Sequence, residues 1–417
     1  MPDQKRPLLS RSLLLFMGTM ILANISGAMY EPLLPLYLQD LGADIGKIGL
    51  FFTLSAITPL AFQILGGWLS DVIGRLQAIA IGSLAGVLGY FVFVFAPSWE
   101  WLLLATAAGA MAGSFVAPSY RAFIAEESSE ETRGRVYGIS EALYMIVGIL
   151  GPPIGGYLSQ YMGFRSLFII AGALYACATV IRLFMARASK VQREPGDQPT
   201  FAKLKSSLWA IGGMILAGGV VTWIFLTDGI QDVTFRMVGQ LLPVYMQNLA
   251  GITNVQIGWM SSMSAMATML LVMPGGWLSD RTSERVGLSV GFSIISLALG
   301  VFLGSNAFFG FAASWILFGA GVALLQPAYS SLISKAVPEN LRGTAFGLFS
   351  TSIGIISLPS PYLGALLWER FSPQTPFYIP LIATIVMIPV MWFKFRPDDN
   401  QAPPDSKPVD PHNAAAL

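Results

Sequence analysis

The feature that most constrains this chain is a series of long apolar stretches that carry almost no charge. A helix needs about 20 apolar residues to cross a bilayer. Twelve stretches of roughly that length occur, at 13–38, 47–68, 76–96, 100–124, 136–159, 165–186, 219–246, 255–276, 287–306, 309–333, 345–368 and 376–394. Only 11% of all residues are charged, against about 25% in soluble domains. We therefore predict an all-α membrane protein with twelve transmembrane helices, numbered here as spans one to twelve.

An internal repeat divides these spans into two sets of six. The sequence GGWLSD occurs at 66–71 and again at 275–280, an offset of 209 residues. Offsets of 208 or 209 recur at four more sites, which pair Leu33–Tyr37 with Leu241–Tyr245, Pro118 with Pro327, Arg133 with Arg342, and Pro152 with Pro361. The repeat predicts two pseudo-symmetric six-helix bundles with a substrate site between them near the midplane, which is a known transporter plan.

The repeat also sets the predicted domain limits. We expect a cytoplasmic N-terminus at 1–12, an N-terminal half at 13–186, a cytoplasmic linker at 187–218, a C-terminal half at 219–396 and a disordered cytoplasmic tail at 397–417. The stretch 207–226 is also uncharged, and hydropathy alone would make it span seven. Only the repeat places the start of that span at 219, so the assignment of 207–218 stays open.

The distribution of positive charge predicts the orientation of the chain. All Lys and Arg residues fall on one side of the predicted membrane except Lys47, Arg165, Arg236 and Arg370. Because cytoplasmic loops are enriched in these residues, we expect both termini in the cytoplasm of a multi-pass protein of the inner (plasma) membrane.

Composition argues against several classes of function. The only histidine, His412, lies in the polar tail, and the only cysteine, Cys177, lies in an apolar stretch, which leaves neither a His-based metal site nor an intrachain disulfide. The sequence contains no GxxxxGK[ST] phosphate loop and no nucleophile–base pattern. A net charge of +1 disfavours nucleic acid as a partner. We expect no cofactor, no metal and no enzymatic activity, and a monomer that handles a small molecule within the lipid bilayer.

Three motifs resemble those of a known family. The segment Gly67–Arg75, GWLSDVIGR, resembles the loop 2–3 signature of the major facilitator superfamily. Gly151–Gly156 in span five is similar to the GPxxGG motif of its antiporters and exporters, and Pro32–Pro35 is similar to the PxxP motif of its twelve-span drug–proton antiporters. One departure is clear: exporters of that group carry an Arg in span four, four residues before a Gly, whereas Ala105 precedes Gly109 here.

The resemblance implies a cytoplasmic gate between the halves. Asp71 would contact span eleven near Arg342, and Asp280 would contact span five near Arg133, so that the two contacts hold an outward-facing state. In the second copy of the signature, Ser283 and Glu284 replace the Gly and Arg. The alternative is a static loop contact that only sets topology. The candidate gate residues are Gly67, Asp71, Gly74, Arg75, Arg133, Gly276, Asp280, Arg281 and Arg342.

The motif in span five predicts a hinge. Pro kinks a helix, and small residues let helices pack backbone to backbone. Gly151, Pro152, Gly155 and Gly156 therefore form a candidate hinge contact between the halves. The alternative is ordinary close packing.

The charges within the predicted spans are the strongest functional signal. Each charge near the bilayer centre costs about 2.5–3.5 kcal/mol or more, and Asp228, Asp232, Arg236 and Gln240 share one helix face. We expect Asp232 to pair with Arg236. A desolvated carboxyl binds its proton more readily, so Glu31 and Asp228, with Asp232 beside them, are the proton-coupling candidates. The alternative places these residues in an external loop and helix cap.

Polar and aromatic residues complete the predicted substrate cavity. The resemblance implies that spans one, four, seven and ten line it. The cavity candidates are Asn24, Tyr30, Gln63, Tyr144, Trp223, Arg236, Gln240 and Gln326.

The leading hypothesis is a secondary active transporter that works by alternating access and couples protons to the efflux of small amphipathic or drug-like compounds. Acids in an apolar, aromatic cavity suit such compounds. The first alternative is an importer or exchanger of a polar metabolite. The second is a transport-inactive receptor or lipid-handling protein on the same fold.

Overall fold

The computed structural model describes residues 9–62, 74–188, 213, 220–337 and 353–395. These residues are almost entirely helical. Four candidate site residues, Gln63, Gly67, Asp71 and Arg342, lie outside the described residues. So do most of the predicted linker and the predicted disordered tail.

Each helix is named by the predicted span that it covers. In chain order the helices are Arg11–Tyr30 and Leu34–Asp40 (span one), Ile45–Phe62 (two), Arg75–Phe95 (three), Trp101–Glu127 (four), Arg133–Ala188 (five and six), Val220–Val238 and Leu241–Ala250 (seven), Asn254–Arg281 (eight), Glu284–Leu303 (nine), Phe308–Ala336 (ten), Ser360–Arg370 (part of eleven) and Thr375–Lys394 (twelve).

Nine helical segments of the described residues are long and apolar enough to cross a membrane. One of them, Arg133–Ala188, has 56 residues and covers two predicted spans, with a break at Gly163, where φ is 82°. The all-α, multi-pass architecture is therefore confirmed, whereas the count of twelve spans stays a prediction.

Local sequence explains where the helices begin and end. Span one is interrupted by a 3-10 turn at Glu31–Leu33, which contains Pro32, because a proline removes one backbone donor and clashes with the preceding turn. Span three begins at Gly74, where φ is 102°. Only glycine adopts this conformation without strain, which explains why the residue before the helix Arg75–Phe95 is a glycine.

The two halves repeat the same aromatic core. Tyr37 packs on Phe168 with ring centroids 4.9 Å apart, and Phe168 stacks on Phe93 at 4.6 Å. In the second half Tyr245 packs on Phe377 at 5.1 Å, and Phe377 packs on Phe302 at 5.1 Å. These three residues follow their counterparts by 208 or 209 residues, so the offset found in the sequence relates equivalent positions in three dimensions.

Candidate transport pathway between the two halves

The halves meet where glycines let backbones touch. A Cβ atom on Gly49 of span two would lie 2.7 Å from the Pro361 carbonyl oxygen of span eleven. A Cβ atom on its repeat counterpart, Gly258 of span eight, would lie still closer to the Pro152 carbonyl oxygen of span five. Both contacts lie towards the end of the bundle that is predicted to be external, and they bring the predicted hinge motif against the other half.

The remaining glycines of the span-five motif pack within its own half and across to span eight. Gly151 and Gly155 face the backbone of Ala28 and Met29 in span one, and Gly156 faces the backbone of Asn254 in span eight. No side chain fits at any of these contacts. Span five is therefore held between span one of its own half and span eight of the other.

Two side chains bind helix N-termini across the halves. The amide of Gly46 donates to Glu369 Oε1 at 2.8 Å, and the amide of Val255 donates to Gln160 Oε1 at 3.1 Å. Each pair is the repeat counterpart of the other, at an offset of 209. Unpaired amides at a helix start favour an oxygen acceptor. We call these two bonds, with the contacts at Gly49 and Gly258, the outer seam.

The loop before span two supplies a second acceptor, besides Glu369, for the amides at the N-terminus of span two. Asp44 accepts from the amide of Lys47 at 2.8 Å as the N-cap of span two. This hydrogen bond, with the nearby Lys47 ammonium, holds the pKa of the Asp44 carboxyl below its usual value.

The opposite end of the halves is looser in the described residues. A Cβ atom on Gly134 or Gly138 of span five would meet nothing within 4 Å. Asp280 is exposed, and Arg281 stacks over the ring of Trp277 at 4.7 Å. Within the described ranges, the structure does not form the contact predicted between Asp280 and Arg133. Gly276 has only the Pro327 side chain nearby, at 4.0 Å.

Two ion pairs at this end are repeat counterparts with their charges exchanged. Arg75 Nε lies 3.2 Å from Glu126 Oε1 in the first half. In the second half Glu284 bonds to Lys335. Glu284 and Lys335 follow Arg75 and Glu126 by 209 residues. Where the second loop signature has Glu284 in place of the Arg, the partner has changed from Glu to Lys335, so an ion pair is kept. The repeat offset alone could have revealed this exchange.

Three of the four residues of the predicted polar face of span seven, Asp228, Asp232 and Arg236, lie on one helix, whereas Gln240 lies beyond the end of that helix at Val238. Arg236 Nε lies 2.7 Å from Asp232 Oδ2, which confirms the expected pair, and the two side chains are 45% and 29% exposed. Asp228 lies one turn earlier, half-buried, and interacts electrostatically with Asp232. The phenol of Tyr329 in span ten lies close to Asp228. None of the ion pairs among the described residues includes Asp228.

The acid in span one lies where that helix breaks. Glu31 is exposed, and its backbone N–H still donates to the Gly27 carbonyl. Tyr144 of span five is 63% exposed and interacts electrostatically with both Glu31 and Glu141. Glu31 is thus within electrostatic range of Tyr144, and among the described residues no hydrogen bond or ion pair joins Glu31 to Asp228.

The remaining cavity candidates occupy different places. Gln326 in span ten is exposed, while Gln240 is buried and donates to the Met237 carbonyl at 3.4 Å. Trp223 lies beneath the Lys394 ammonium of span twelve, 4.7 Å from the ring centroid. Tyr30 packs against Tyr90 and other rings inside the first half.

Sequence reasoning missed a buried arginine in span six. Arg182 is 1% exposed and lines a cavity of about 200 Å³ inside the first half, together with Asn24, Tyr30, Tyr90, Tyr175 and several small residues of spans three and four. We call this cavity the Arg182 pocket. Ala105 and Gly109 also line it. Ala105 stands where the exporters carry their span-four Arg, so in this chain the guanidinium near that position comes from span six. The signal available in the sequence was an arginine within an apolar run.

Comparisons with known proteins agree with this architecture. The family model described as Major Facilitator Superfamily matches residues 16–231 and 224–416. The chain is 26% identical over 383 residues to a multi-drug resistance efflux pump PmrA homolog of Lactococcus lactis, covering 89% of this chain and 91% of that one. It is 23% identical to the quinolone resistance protein NorA of Staphylococcus aureus, covering 86% and 90%.

Solved structures give the same fold. A peptide transporter POT in complex with sulfate superposes with a TM-score of 0.71 over 92% of this chain and 93% of that one, at 14% identity. At that identity the likeness concerns the fold alone.

Proposed function

Because this chain belongs to the Major Facilitator Superfamily and is a membrane transporter of small molecules rather than an enzyme, we propose that it exports small amphipathic compounds in exchange for protons. The exchange works by alternating access of a site between the halves. Both termini lie in the cytoplasm of a cell whose inner (plasma) membrane holds the protein.

The observation that carries the proposal is the arrangement of the two acids on span seven. Asp232 has its own counter-ion in Arg236, whereas Asp228 is half-buried one turn away beside that pair and Tyr329. A carboxyl that is partly desolvated and lies near another acid favours its protonated form. Asp228 is therefore the group that takes up and releases the coupling proton.

The geometry of the seam supports the alternating step. The outer seam is formed while the predicted contact of Asp280 with span five is absent from the described residues. This is the arrangement of a transporter open to the cytoplasm. Forming the gate contacts of Asp280 and Asp71 while breaking the outer seam would open the site outward.

Two further observations support the choice of substrate. Relatives at 22% and 26% identity carry names of multi-drug resistance efflux pumps, and one at 25% is named a multidrug resistance protein. The exposed Tyr144 beside Glu31 offers an aromatic face next to an acid, which suits a lipophilic cation.

The experiment is transport of a fluorescent lipophilic cation by purified protein in proteoliposomes with an imposed pH gradient. We expect wild-type protein to drive the cation against its gradient, and Asp228→Asn to bind the cation but lose at least about 90% of gradient-driven flux, an effect of about 1.4 kcal/mol or more. Glu130→Gln, which neutralises an exposed acid in the loop after span four, is the matched control. Gradient-driven transport by Asp228→Asn at the wild-type rate would contradict the role of Asp228, and wild-type flux that ignored the gradient would contradict proton coupling.

A further inference from the structure

The Arg182 pocket contains a buried cation without a buried anion. The guanidinium donates to Ser83 Oγ at 2.7 Å, to Thr19 Oγ1 at 3.2 Å and to the Thr19 carbonyl at 3.2 Å. It also contacts Met20 Sδ at 2.9 Å. All of these partners are neutral, and no carboxylate pairs with Arg182 among the described residues. A buried charge that is hydrogen-bonded but not neutralised favours an anion from outside the chain.

The second half shows that the fold does not require this cation. The position that follows Arg182 by 209 residues is Met391, which is fully buried. Around it, Phe292 replaces Ser83 and Ile295 replaces Gly86, both also fully buried. Since well-packed apolar residues can replace a buried charge at no cost in stability, an arginine that served only to hold the helices together would be dispensable.

The repeat comparison also shows that the cavity is specific to the first half. Gly109 in span four corresponds to Phe318 in span ten, and Tyr90 corresponds to Leu299. A Cβ on Gly86 would collide with the hydroxyl of Tyr175, so the phenol occupies the place of the missing side chain. Relative to the second half, the first half therefore has both smaller residues, which open the cavity, and polar residues, which line it.

The shape of the pocket indicates the class of ligand. Its volume of about 200 Å³ exceeds the roughly 30 Å³ of one water, so it offers more room than a single halide ion needs. The rings of Tyr30, Tyr90 and Tyr175 form much of its wall. Asn24 donates to the Met20 carbonyl at 2.8 Å through one amide hydrogen, and an amide nitrogen carries two. Gly109 lines the cavity and is exposed, so we infer that a ligand enters beside it.

We propose that the Arg182 pocket, which lies inside the first half, is a binding site for a small aromatic or aliphatic carboxylate. The carboxylate lies against the Arg182 guanidinium and the apolar body lies among the tyrosine rings. Arginine is the residue best suited to carboxylate recognition. The site does not depend on the proton-coupled export proposed above.

The test is equilibrium binding of radiolabelled benzoate to the purified full-length protein in detergent. We expect saturable binding at one site per chain, and at least about tenfold weaker binding by Arg182→Met, which copies the residue of the second half. Arg165→Met removes an exposed positive charge from the same span and should bind as wild type does. Benzamide, the neutral analogue, should not compete.

Gly109→Leu provides a second variant in case Arg182→Met does not fold, because it retains the cation and fills the cavity. Benzoate binding should also weaken at least about tenfold in this variant. The proposal is wrong if wild-type protein shows no saturable benzoate binding, if folded Arg182→Met or Gly109→Leu binds benzoate as wild type does, or if benzamide or chloride displaces benzoate with equal effect.

Discussion

At the scale of single residues, spacing in the sequence was a good guide to pairs on one helix and a poor guide to pairs between helices. The ion pair of Asp232 with Arg236 follows from their separation of four residues. The bonds of Arg182 to Thr19 and Ser83 join three spans. No local pattern predicts such contacts, because the packing of distant segments creates them.

The exchanged ion pair in the second half is a prediction at this scale. Glu284→Arg places two cations side by side, because Lys335 remains. The Glu284 side chain is only 16% exposed, so we expect the free energy of unfolding to fall by about 1 kcal/mol, the upper end of the range for exposed pairs. Adding Lys335→Glu should recover most of this loss. Thermal unfolding in detergent would measure both variants, with Glu130→Arg as the control for a reversed charge without a partner among the described ion pairs. Equal stability of the single and double variants would contradict the pairing.

The cap of span two gives a prediction of pH dependence. The pKa of the Asp44 carboxyl is lowered in the folded protein. The stability that Asp44 contributes is therefore present above the pKa of an unfolded Asp and is lost as the pH falls through the lowered value. At neutral pH we expect Asp44→Ala to destabilise the protein by about 1 kcal/mol. Unfolding measured against pH should show wild type and variant converging under acidic conditions, and a difference that stayed constant down to those conditions would refute the assignment.

At the scale of helices, the outer seam depends on glycines that face backbone of the other half. The sequence motif in span five predicted a contact of this kind. The repeat offset identified Pro361 on span eleven as the counterpart of Pro152, but only the packing shows that Pro361 contacts Gly49 of the other half. The motif of span five was recognisable because its residues are contiguous, whereas the seam joins residues at least 95 positions apart.

Gly258→Val tests the seam directly. Its Cβ would collide with the Pro152 carbonyl, so we expect the seam to open. In a Cys177→Ser background, a cysteine at the buried position Ser159 should react at least about threefold faster with an external membrane-impermeant maleimide when Gly258→Val is present. Gly300→Val, where the added atom meets nothing within 4 Å, should leave the rate unchanged. An unchanged rate in Gly258→Val would exclude the seam as an external barrier.

At the scale of the whole molecule, the sequence predicted the repeated architecture but not its conformational state. The offset of 208–209 residues relates the aromatic cores around Tyr37 and Tyr245. Whether the external or the cytoplasmic end is closed depends on a small difference in free energy between the contacts formed at the two ends. Such a balance of weak contacts is not encoded in any one motif.

The state of the molecule can be measured from the cytoplasmic side. In inverted vesicles, a cysteine at Gly138 should react with an impermeant maleimide, because its side chain would meet nothing within 4 Å. A cysteine at Gly148, ten residues further along span five and 3.9 Å from the Ala265 side chain, should react several-fold more slowly. Equal rates at both positions would show that the predominant state differs from the one described.

The exchanged pairs bear on how the chain arose. Two halves descended from one duplicated segment began with the same pair, and an exchange of charges one residue at a time passes through a stage in which the pair is like-charged or only one partner is charged. The side chains of Lys335 and Glu284 are 70% and 16% exposed. Water and salt reach the Lys335 ammonium and weaken repulsion there, so an ancestor with two like charges could still fold. A buried pair would have no such screening of its repulsion. We therefore expect reversals of charge between the halves of related transporters to be confined to the solvent-exposed ends of their helices.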